Sequence, residues 1–505
     1  MHDRARVGVT LLILGLVPVG GYAVENELKS GPSNNASLSK ISVTAEARLV
    51  AETRERAKSY AVIVPGSQSS ISVTATAQDP NARIHVNGVA ASSGNPSGPH
   101  PLVPGLNILD VTVTAEDGKT QEHYEVKVIR PYPMPNWVRV IEKAPWIPRD
   151  SAGELVFKDR MWIFGGYIPE LISDVWSSAD GVSWEKIGEI PDASGINIPL
   201  TFVHDGRMWI TSNAGRFYCS EDGKQWTLVK DKVPRTGYGG VGVVFKGKVW
   251  VIGGTGGRQI WSSSDCKDWK LEVGEAPWSQ RSLFGNVVVH AGKLWVIGGC
   301  LGRYQPFKAY SDVWCSEDGV KWTEVTGHAP WPVRRWSSCV VYRNRIWLFG
   351  GFRGQPTWQN FNDVWYSADG KDWKQLATDD IWSPRHEISP YVYNDRLWVI
   401  TGNAWPLMND VWNLHIPGLT FMTQPVLEEY AGARYEYRAQ ADFNESAGPV
   451  HYRLVKSPKW LRIDEKTGVI SGIPPAAGDF PVTVEALDTA GETARQSYTL
   501  HVVPL

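Results

Sequence analysis

The chain has 505 residues, of which 51 are basic and 53 acidic, so its formal net charge is −2. A chain of this length is expected to form about three domains rather than one. Because it contains no basic block, the sequence does not indicate a nucleic-acid partner.

Residues 1–23 read as a secretory signal. Two arginines precede the apolar stretch Val7–Val19, and Gly21-Tyr22-Ala23 offers small residues for cleavage. The stretch is too short to cross a bilayer comfortably, although an uncleaved anchor is the alternative. We therefore expect an exported protein, secreted, periplasmic or at the cell surface, with no membrane span once the signal is removed. Residues 24–37 are then a linker.

Residues 38–132 are predicted to form a separate β domain. Segments such as Ile71–Thr76 and Tyr124–Ile129 alternate apolar and polar residues, and turn residues separate them. The succession of Ile84-His85-Val86, Pro104-Gly105 and the last strand resembles the cadherin-like β-sandwich modules of bacterial surface proteins. The resemblance implies a β-sandwich at the N-terminal end.

A repeat occupies residues 135–415. Twenty-four of the 25 tryptophans lie there, and one tryptophan series is spaced by 47, 41, 45, 52 and 51 residues. Each repeat reads as four short strands, with Gly-Gly after the second and often Asp-Gly between the third and fourth, a strong hairpin signal. Segments such as Trp162-Ile-Phe-Gly165-Gly166 resemble the kelch repeat, which implies a β-propeller.

The ends of the repeat predict how the ring closes. The last repeat stops at Asp410-Val411-Trp412 without a fourth strand, whereas Asn136–Val140, before the first repeat, matches the fourth strands elsewhere. The N-terminal strand should therefore complete the C-terminal blade and leave no free sheet edge. The expected fold class is all-β: a six-bladed kelch-type β-propeller flanked by two β-sandwich domains, as a monomer.

Residues 418–505 resemble an immunoglobulin-like (dystroglycan/cadherin-type) module. The resemblance rests on Tyr452-Arg-Leu454, Pro458-Lys-Trp460-Leu461 and Thr467-Gly468-Val-Ile-Ser471-Gly472. Trp460 is the one tryptophan outside the propeller, and we expect it to fill the core of this sandwich.

The main candidate site is an arginine that recurs at the head of the first strand in five of the six repeats: Arg149, Arg235, Arg281, Arg334 and Arg385. In kelch propellers this strand lines the central channel, so the resemblance implies a ring of guanidinium groups at one opening. Such groups bind carboxylates through two parallel hydrogen bonds and would focus positive potential. The alternative is a structural role, with each arginine bonded to loop carbonyls of the neighbouring blade.

Aromatic residues accompany these arginines. Trp336 follows Arg334 closely, and long loops carry Tyr304 and Trp358. Aromatic rings beside arginines suit an acidic sugar or an acidic peptide. The leading hypothesis is therefore an exported binding protein that holds an acidic glycan or an acidic protein segment at its arginine-lined face.

Two alternatives stay open. His386 and Glu387, with Asp150 and Glu154, are the acid–base groups that the pattern puts near the channel. Some six-bladed kelch proteins are sugar mutarotases or epimerases, so the resemblance also allows a carbohydrate-active enzyme, including a glycan-cleaving one. The second alternative is a purely structural adhesion scaffold at the cell surface.

No metal or cofactor is expected from the sequence. The five cysteines show no CxxC spacing, and we interpret them as buried thiols. The repeated Ser178-x-Asp180-Gly181 pattern resembles the Asp-box of sialidases, one residue shorter. In that family the motif is structural, so we expect it to shape a turn here as well.

Overall fold

The structure is a computed structural model that describes residues 10–12, 31–44, 48–52, 58–66, 68–132, 134–233, 239–254, 258–301, 308–354 and 357–505. These residues form strands and their connections, so the fold class is all-β, as expected. They pack into two compact units, one of residues 1–134, 421–442 and 449–505, the other of residues 135–420 and 443–448. In the described ranges, no helix has the length and apolar character that crossing a membrane takes.

The N-terminal part of the first unit is a β-sandwich. Its sheets have the orders β1-β2-β5-β8 and β3-β4-β10-β9-β6-β7. Alternate residues of β5 and β9 are buried, because successive side chains on a strand point to opposite faces. The described strands are β1 (Thr10–Leu12), β2 (Leu38–Thr44), β3 (Arg48–Glu52), β4 (Ser59–Ile63), β5 (Ser70–Ala77), β6 (Arg83–Val86), β7 (Val89–Ala91), β8 (His100–Pro101), β9 (Gly105–Thr114) and β10 (Gln121–Arg130).

The predicted secretory signal, residues 1–23, lies outside the described residues except for the short strand β1. Residues 24–30 of the predicted linker lie outside them too. The export signal therefore stays a prediction from the sequence.

The second unit is a β-propeller of short antiparallel strands. In chain order, its described strands are β11 (Trp137–Ile141), β12 (Gly153–Phe157), β13 (Arg160–Tyr167), β14 (Leu171–Ser178), β15 (Glu185–Glu189), β16 (Thr201–His204), β17 (Arg207–Thr211), β18 (Phe217–Ser220), β19 (Thr227–Lys230), β20 (Gly240–Phe245), β21 (Lys248–Gly253), β22 (Ile260–Ser263), β23 (Lys270–Val273), β24 (Val287–His290), β25 (Lys293–Leu301), β26 (Lys308–Ser316), β27 (Thr323–Thr326), β28 (Ser338–Tyr342), β29 (Arg345–Phe349), β30 (Phe352–Arg353), β31 (Gln359–Asn360), β32 (Val364–Ser367), β33 (Lys374–Gln375), β34 (Ser389–Tyr393), β35 (Arg396–Ile400) and β36 (Val411–Leu414).

In the part of the chain that the structure describes, these strands form six four-stranded sheets and one two-stranded sheet, β30-β31. Five are continuous in sequence, β12 to β15, β16 to β19, β20 to β23, β24 to β27, and β28-β29-β32-β33. The sixth has the order β11-β36-β35-β34, in which Trp137 pairs with Leu414. The N-terminal strand thus completes the C-terminal sheet. The first strands β12, β16, β20, β24, β28 and β34 adjoin one another in a closed ring around a central channel.

The repeated tryptophans and Asp-Gly turns lock each sheet to the next. A Cβ atom on Gly223 of the second sheet would lie 2.2 Å from the Trp162 ring of the first. Only glycine leaves room for the ring there, and its φ of 72° suits glycine as well. The same contact joins Gly319 to Trp250, Gly370 to Trp295, and Gly181 to Trp398, the last linking the first sheet to the sixth.

Two of the contacts between neighbouring sheets do not use a glycine against a tryptophan. In the third sheet, Cys266 takes the place of the glycine with a φ of 61°, and it packs in one buried cluster with Trp209. The sixth sheet has no such turn, since its outer strand is β11. There Phe443 stacks on Trp347, with ring centroids 5.7 Å apart and planes 15° from parallel.

The Ser-x-Asp-Gly turns use their polar groups internally. The Ser178 hydroxyl accepts a bond from the Gly181 amide at 2.8 Å, and Asp180 Oδ1 accepts from the amides of Val182 and Ser183 at 2.8 and 2.7 Å. The copies at Ser220, Ser316 and Ser367 make the same first bond. The motif shapes a hairpin, as expected.

The C-terminal sandwich belongs to the first unit. Its two main sheets are β38-β45-β44-β41 and β39-β43-β42. Its described strands are β37 (Thr420–Phe421), β38 (Glu428–Tyr430), β39 (Tyr435–Arg438), β40 (Ala441–Asp442), β41 (Val450–Lys456), β42 (Arg462–Ile463), β43 (Val469–Gly472), β44 (Gly478–Asp488) and β45 (Thr493–Val503). Lys127 forms an ion pair with Glu428 at 2.6 Å, which ties this sandwich to the N-terminal one.

The core of this sandwich contains tyrosines rather than Trp460. Tyr435 and Tyr498 are buried, and their hydroxyls lie 3.0 Å apart. Trp460 is only partly buried, because it lies in the turn after β41, where its ring meets Phe480 edge-on. The prediction that Trp460 fills the core is wrong.

Candidate functional site

Four of the five predicted channel arginines are buried, and each is bonded to a carboxylate and to two backbone carbonyls. Arg334 is 1% exposed and bonds both carboxylate oxygens of Asp363, at 2.5 and 2.7 Å. Its remaining donors reach the carbonyl oxygens of Gly350 at 2.9 Å and Pro332 at 3.1 Å. The same arrangement pairs Arg149 with Asp174, Arg281 with Asp312, and Arg385 with Asp410.

This corrects the expectation that Arg149, Arg281, Arg334 and Arg385 hold a ligand. A guanidinium group has five N–H donors in a fixed fork, and here one carboxylate and two carbonyls take four of them. The structural alternative therefore applies, although the partners lie in the same sheet and not in the neighbouring one. Arg235 and Tyr304 lie outside the described residues, so nothing follows for them.

Six residues whose backbone is in the left-handed conformation, with positive φ, surround the channel opening. Each lies eleven residues before the tryptophan of its sheet's second strand, and φ is 47° to 79° throughout: Ser151, Ile198, Gly239, Phe284, Trp336 and Glu387. Five of the six are not glycine. Bulky residues with positive φ are rare because Cβ crowds the backbone, and such strain gathers at functional sites.

A cavity of about 190 Å³ opens inside the ring of these six residues. The head of every first strand contributes to its wall, through Ser151, Ile198, Gly240, Phe284, Trp336 and Glu387. Concave sites with a few converging polar groups are the usual places for small ligands. The left-handed backbone is thus the local feature that turns these residues onto the cavity.

Asp150, His386 and Glu387 come together beside this cavity. One oxygen or nitrogen atom from each lies within 4.8 Å of the other two. They belong to adjoining sheets, since Asp150 directly follows Arg149 before β12, and His386 directly follows Arg385 before β34. The grouping of acid–base residues predicted from the sequence is therefore present in space.

Two asparagines orient the cluster. Asn403 donates its side-chain amide to Asp150 Oδ2 at 3.0 Å. Asn360 places its oxygen 2.7 Å from His386 Nδ1, and donates its NH₂ group to the Asn403 carbonyl at 2.9 Å. Because the Asn360 oxygen can only accept, Nδ1 carries the proton and Nε2 keeps its lone pair.

Burial shapes the protonation of these groups. It raises the pKa of Glu387, and the negative charge of Asp150 adds to that rise while Arg335 opposes it. Burial also raises the pKa of Asp150, against hydrogen bonds from Asn403 and Ser151. Burial, with a smaller contribution from Arg335, lowers the pKa of His386 to about 3, so its imidazole is neutral at pH 7. Two carboxyls this close resist ionising together.

Glu154 lies further along the channel strand β12 and also lines the cavity. Burial raises its pKa to about 8, against a hydrogen bond with Ser389. It is not part of the three-residue cluster. Glu154 is thus a second, separate protonated carboxyl at neutral pH.

Aromatic rings form a platform above the cluster. Trp336 stacks on His386 with centroids 5.0 Å apart, and Phe352 supports both Trp358 and Trp405 at 5.5 and 5.2 Å. Trp358 and Trp405 are 64% and 53% exposed, and their centroids lie 6.4 Å apart. The predicted residues Trp336 and Trp358 therefore do lie at this opening.

Several residues of the site were not predicted from the repeat pattern. Arg335 is 3% exposed, and its guanidinium lies 3.7 Å from the Trp336 ring centroid. Asn360 lies in the short strand β31 of the fifth repeat, and Asn403 and Trp405 lie in the irregular connection between β35 and β36. Only Arg335 could have been singled out, because it occupies the same place after the repeated arginine as His386 does.

Three family descriptions match the chain. The "Cadherin-like beta sandwich domain" matches residues 34–131, the "DUF6242 beta propeller domain" residues 136–424, and the "Putative Ig domain" residues 419–503. The propeller match covers more than half of the chain. The order of the three agrees with the architecture described above.

Similar proteins match over short stretches. Over 98 residues, 19% of this chain, it is 38% identical to a "Putative membrane protein" of Evansella cellulosilytica, of which the match covers 14%. Over 153 residues, 26% of this chain, it is 27% identical to leucine-zipper-like transcriptional regulator 1 of Homo sapiens and Mus musculus, of which 18% is covered. The chain thus spans less than a fifth of the length of these relatives.

Among solved structures, the "Structure of YjhT" is 14% identical, with a TM-score of 0.44. The match covers 56% of this chain and 97% of that one.

Proposed function

Given that the chain belongs to the DUF6242 beta propeller family, with cadherin-like and Ig-like domains on either side, we propose that this multidomain binding protein holds a carbohydrate at the mouth of the propeller channel. The observation that carries the proposal is the pair of exposed tryptophans, Trp358 and Trp405, near the cavity that Trp336 and Glu387 line. Exposed aromatic patches rimmed by polar groups mark binding surfaces.

The two tryptophans suit a sugar ring. Their indole faces offer flat apolar surfaces for the C–H face of a pyranose, and Phe352 holds both rings from below. Asn403 accepts a bond from the Trp405 amide at 3.0 Å, which fixes the base of that side chain. A rigid aromatic platform loses little conformational entropy on binding.

The cavity beside the platform offers hydrogen bonds for sugar hydroxyls. Glu387 and Glu154 line this cavity with carboxyl groups, and burial raises the pKa of both to about 8. Protonated carboxyls both donate and accept, as hydroxyl groups require of a partner. Because the four described arginines are committed to aspartates, the case for an acidic glycan or acidic peptide weakens, and a neutral carbohydrate is the better fit.

An array of neutral and acidic glycans, probed with the purified protein at low and moderate salt, tests this proposal. We expect binding to neutral glycans that does not depend on salt. Trp405→Ala should reduce it about 30-fold, close to the 2 kcal/mol that a buried aromatic anchor contributes. Tyr430→Ala, which removes an aromatic ring that is 54% exposed in the C-terminal sandwich, is the matched control.

Catalysis on the same sugar is the second candidate. The observation in its favour is that two carboxyls and an imidazole meet beside a cavity, as acid–base chemistry requires. A mutarotase, an epimerase or a glycan-cleaving enzyme would each need such groups. Turnover or anomer exchange of a bound glycan that is lost in Glu387→Gln, while binding persists, would establish it. A protein that binds no glycan at all would instead fit an adhesion scaffold.

The proposed location is extracellular or at the cell surface. Cadherin-like and Ig-like domains are typical of such proteins, and one relative carries the name of a membrane protein. All five cysteines are free, and burial raises the pKa of each thiol, which keeps thiols unreactive. Proteinase treatment of intact cells, followed by immunoblotting, tests this location.

A further inference from the structure

We propose that Asp150, His386 and Glu387 form a site for one divalent first-row transition-metal ion, such as Zn²⁺ or Mn²⁺, beside the cavity. One atom from each side chain lies within 4.8 Å of the other two, so a single ion can contact all three. The proposal goes beyond carbohydrate binding and does not depend on it.

A second observation concerns Asp150 itself. Asp150 is 3% exposed; its Oδ2 accepts from Asn403, Oδ1 lacks a well-aligned donor, and the Ser151 and Glu387 side chains lie close to the carboxyl. A buried carboxylate oxygen without a well-aligned donor is costly, and buried polar atoms in proteins are nearly always satisfied. A cation held with the neighbouring imidazole and carboxylate would satisfy it.

The surroundings of His386 are those of a metal ligand. Metal-binding histidines usually donate their second N–H to an oxygen acceptor, which fixes the tautomer and the ring orientation. Here the Asn360 oxygen accepts from Nδ1 at 2.7 Å, and Asn360 is itself held by the Asn403 carbonyl. Asn403 also orients Asp150, so one short network positions ligands from two adjoining sheets.

The charges leave room for a cation. Arg335 is the cationic group whose field reaches both His386 and Glu387. Without a bound cation, a proton shared by the two carboxyls balances their charge against Arg335, and a divalent ion would take the place of that proton. An added divalent ion or a shared proton is needed to relieve the repulsion between Asp150 and Glu387.

The donor set indicates the class of ion. One imidazole nitrogen and two carboxylates suit first-row divalent metals, whereas Ca²⁺ requires six to eight oxygen ligands. Glu387 also lines the cavity, so an ion bound there keeps positions open toward it. Those positions are accessible to water or to a ligand.

The test is isothermal titration of the purified protein, free of a polyhistidine tag and stripped with a chelator, with ZnCl₂ and MnCl₂. We expect one ion per chain for at least one of the two metals. His386→Ala should weaken binding at least tenfold, and Asn360→Ala roughly 10- to 100-fold, as orienting residues do at metal sites. Glu154→Gln, which changes a carboxyl of the same cavity outside the cluster, should leave the affinity within about twofold.

Thermal unfolding separates loss of the site from loss of the fold. A bound ion should raise the melting temperature of the wild type and of Glu154→Gln, but not that of His386→Ala. Should His386→Ala fail to fold, Glu387→Gln takes its place. Absence of binding by the wild type, or binding that His386→Ala and Glu387→Gln leave unchanged, would overturn the proposal. Since no sugar is present, neither result bears on carbohydrate binding.

Discussion

The Arg334 guanidinium binds both oxygens of Asp363, at 2.5 and 2.7 Å, and the same carboxylate accepts a bond from the Trp365 indole at 2.8 Å. This trio recurs in three other sheets, around Asp174, Asp312 and Asp410. In these four sheets it ties the head of the first strand to the third strand at the channel mouth. The residue that follows the arginine is thereby held in place at the opening.

Arg334→Ala should therefore destabilise the propeller. Asp363 is 16% exposed in its side chain and would remain as a charge without its partner. Breaking a buried pair in this way typically costs about 3–5 kcal/mol. Urea unfolding of the wild type and the variant measures the difference.

Arg353→Ala is the matched control for that variant. Arg353 bonds Thr357 and Gln359 in an exposed setting, so its removal should change stability by less than about 0.5 kcal/mol. A stable Arg334→Ala protein that loses glycan binding would restore the arginine as a ligand residue and contradict the structural role.

Gly319→Ala should be far more damaging than an ordinary glycine substitution. The new Cβ would lie 2.4 Å from the Trp250 ring, which belongs to the neighbouring sheet. Gly206 has a similar φ, 66° against 78°, but nothing within 4 Å of its Cβ position. We expect Gly206→Ala to cost about 1 kcal/mol from backbone strain alone, and Gly319→Ala several times that. Equal melting temperatures for the two variants would show that the sheets do not depend on this contact.

At the positions with positive φ around the channel, glycine should stabilise the protein more than alanine, the reverse of the order in an ordinary strand. Ser151 has a φ of 54°, so Ser151→Gly should be more stable than Ser151→Ala by about 1 kcal/mol. The two variants lose the same hydroxyl, so the comparison isolates the backbone. At Ser389, in the ordinary strand β34, the glycine variant should be the less stable one by roughly 0.5–1 kcal/mol. Chemical denaturation of the four variants shows whether glycine is the more stable choice at position 151 and alanine at position 389.

Glu154 should make stability depend on pH. Its folded pKa is about 8 against an ordinary value of 4.5, so the folded state keeps a proton that the unfolded chain releases. The contribution of Glu154 to the free energy of unfolding is fully present below about pH 4.5. Between about pH 4.5 and pH 8 it declines by at most about 1.4 kcal/mol per pH unit, and above about pH 8 it is lost.

The isosteric variant Glu154→Gln isolates that effect. Tyr391, which faces Glu154, has a pKa raised by burial and stays protonated throughout this range. The stability difference between wild type and variant should therefore fall steadily between pH 5 and pH 8. A difference that stays constant over that range would show that Glu154 ionises normally.

Much of the fold could be predicted because it depends on periodic features. The tryptophan spacing, the Asp-Gly turns and the absent fourth strand anticipated the β-propeller and its closing strand β11. Each of these features fills a space between sheets or removes an exposed edge, so its physical role is the same in every repeat.

The ion pairs of the repeated arginines were not predicted from the sequence, although the sequence contains a signal for them. The repeats that carry Arg149, Arg281, Arg334 and Arg385 also carry an aspartate two residues before the third-strand tryptophan, whereas the second repeat has Ile196 and Arg216 at these places. That shared occurrence indicates an ion pair and could have been read from the sequence. Asn360, Asn403 and Trp405 could not, because they lie in connections between the repeated strands, where the sequence follows no period.

Glycan binding by the wild type, Trp358→Ala, Trp405→Ala and the double variant tests the central claim most directly. Titration with the glycan that the array selects should show each single variant weakened about 30-fold and the double variant without measurable binding, while all four unfold at similar temperatures. Undiminished binding by the folded double variant would contradict a carbohydrate site at the mouth of the channel.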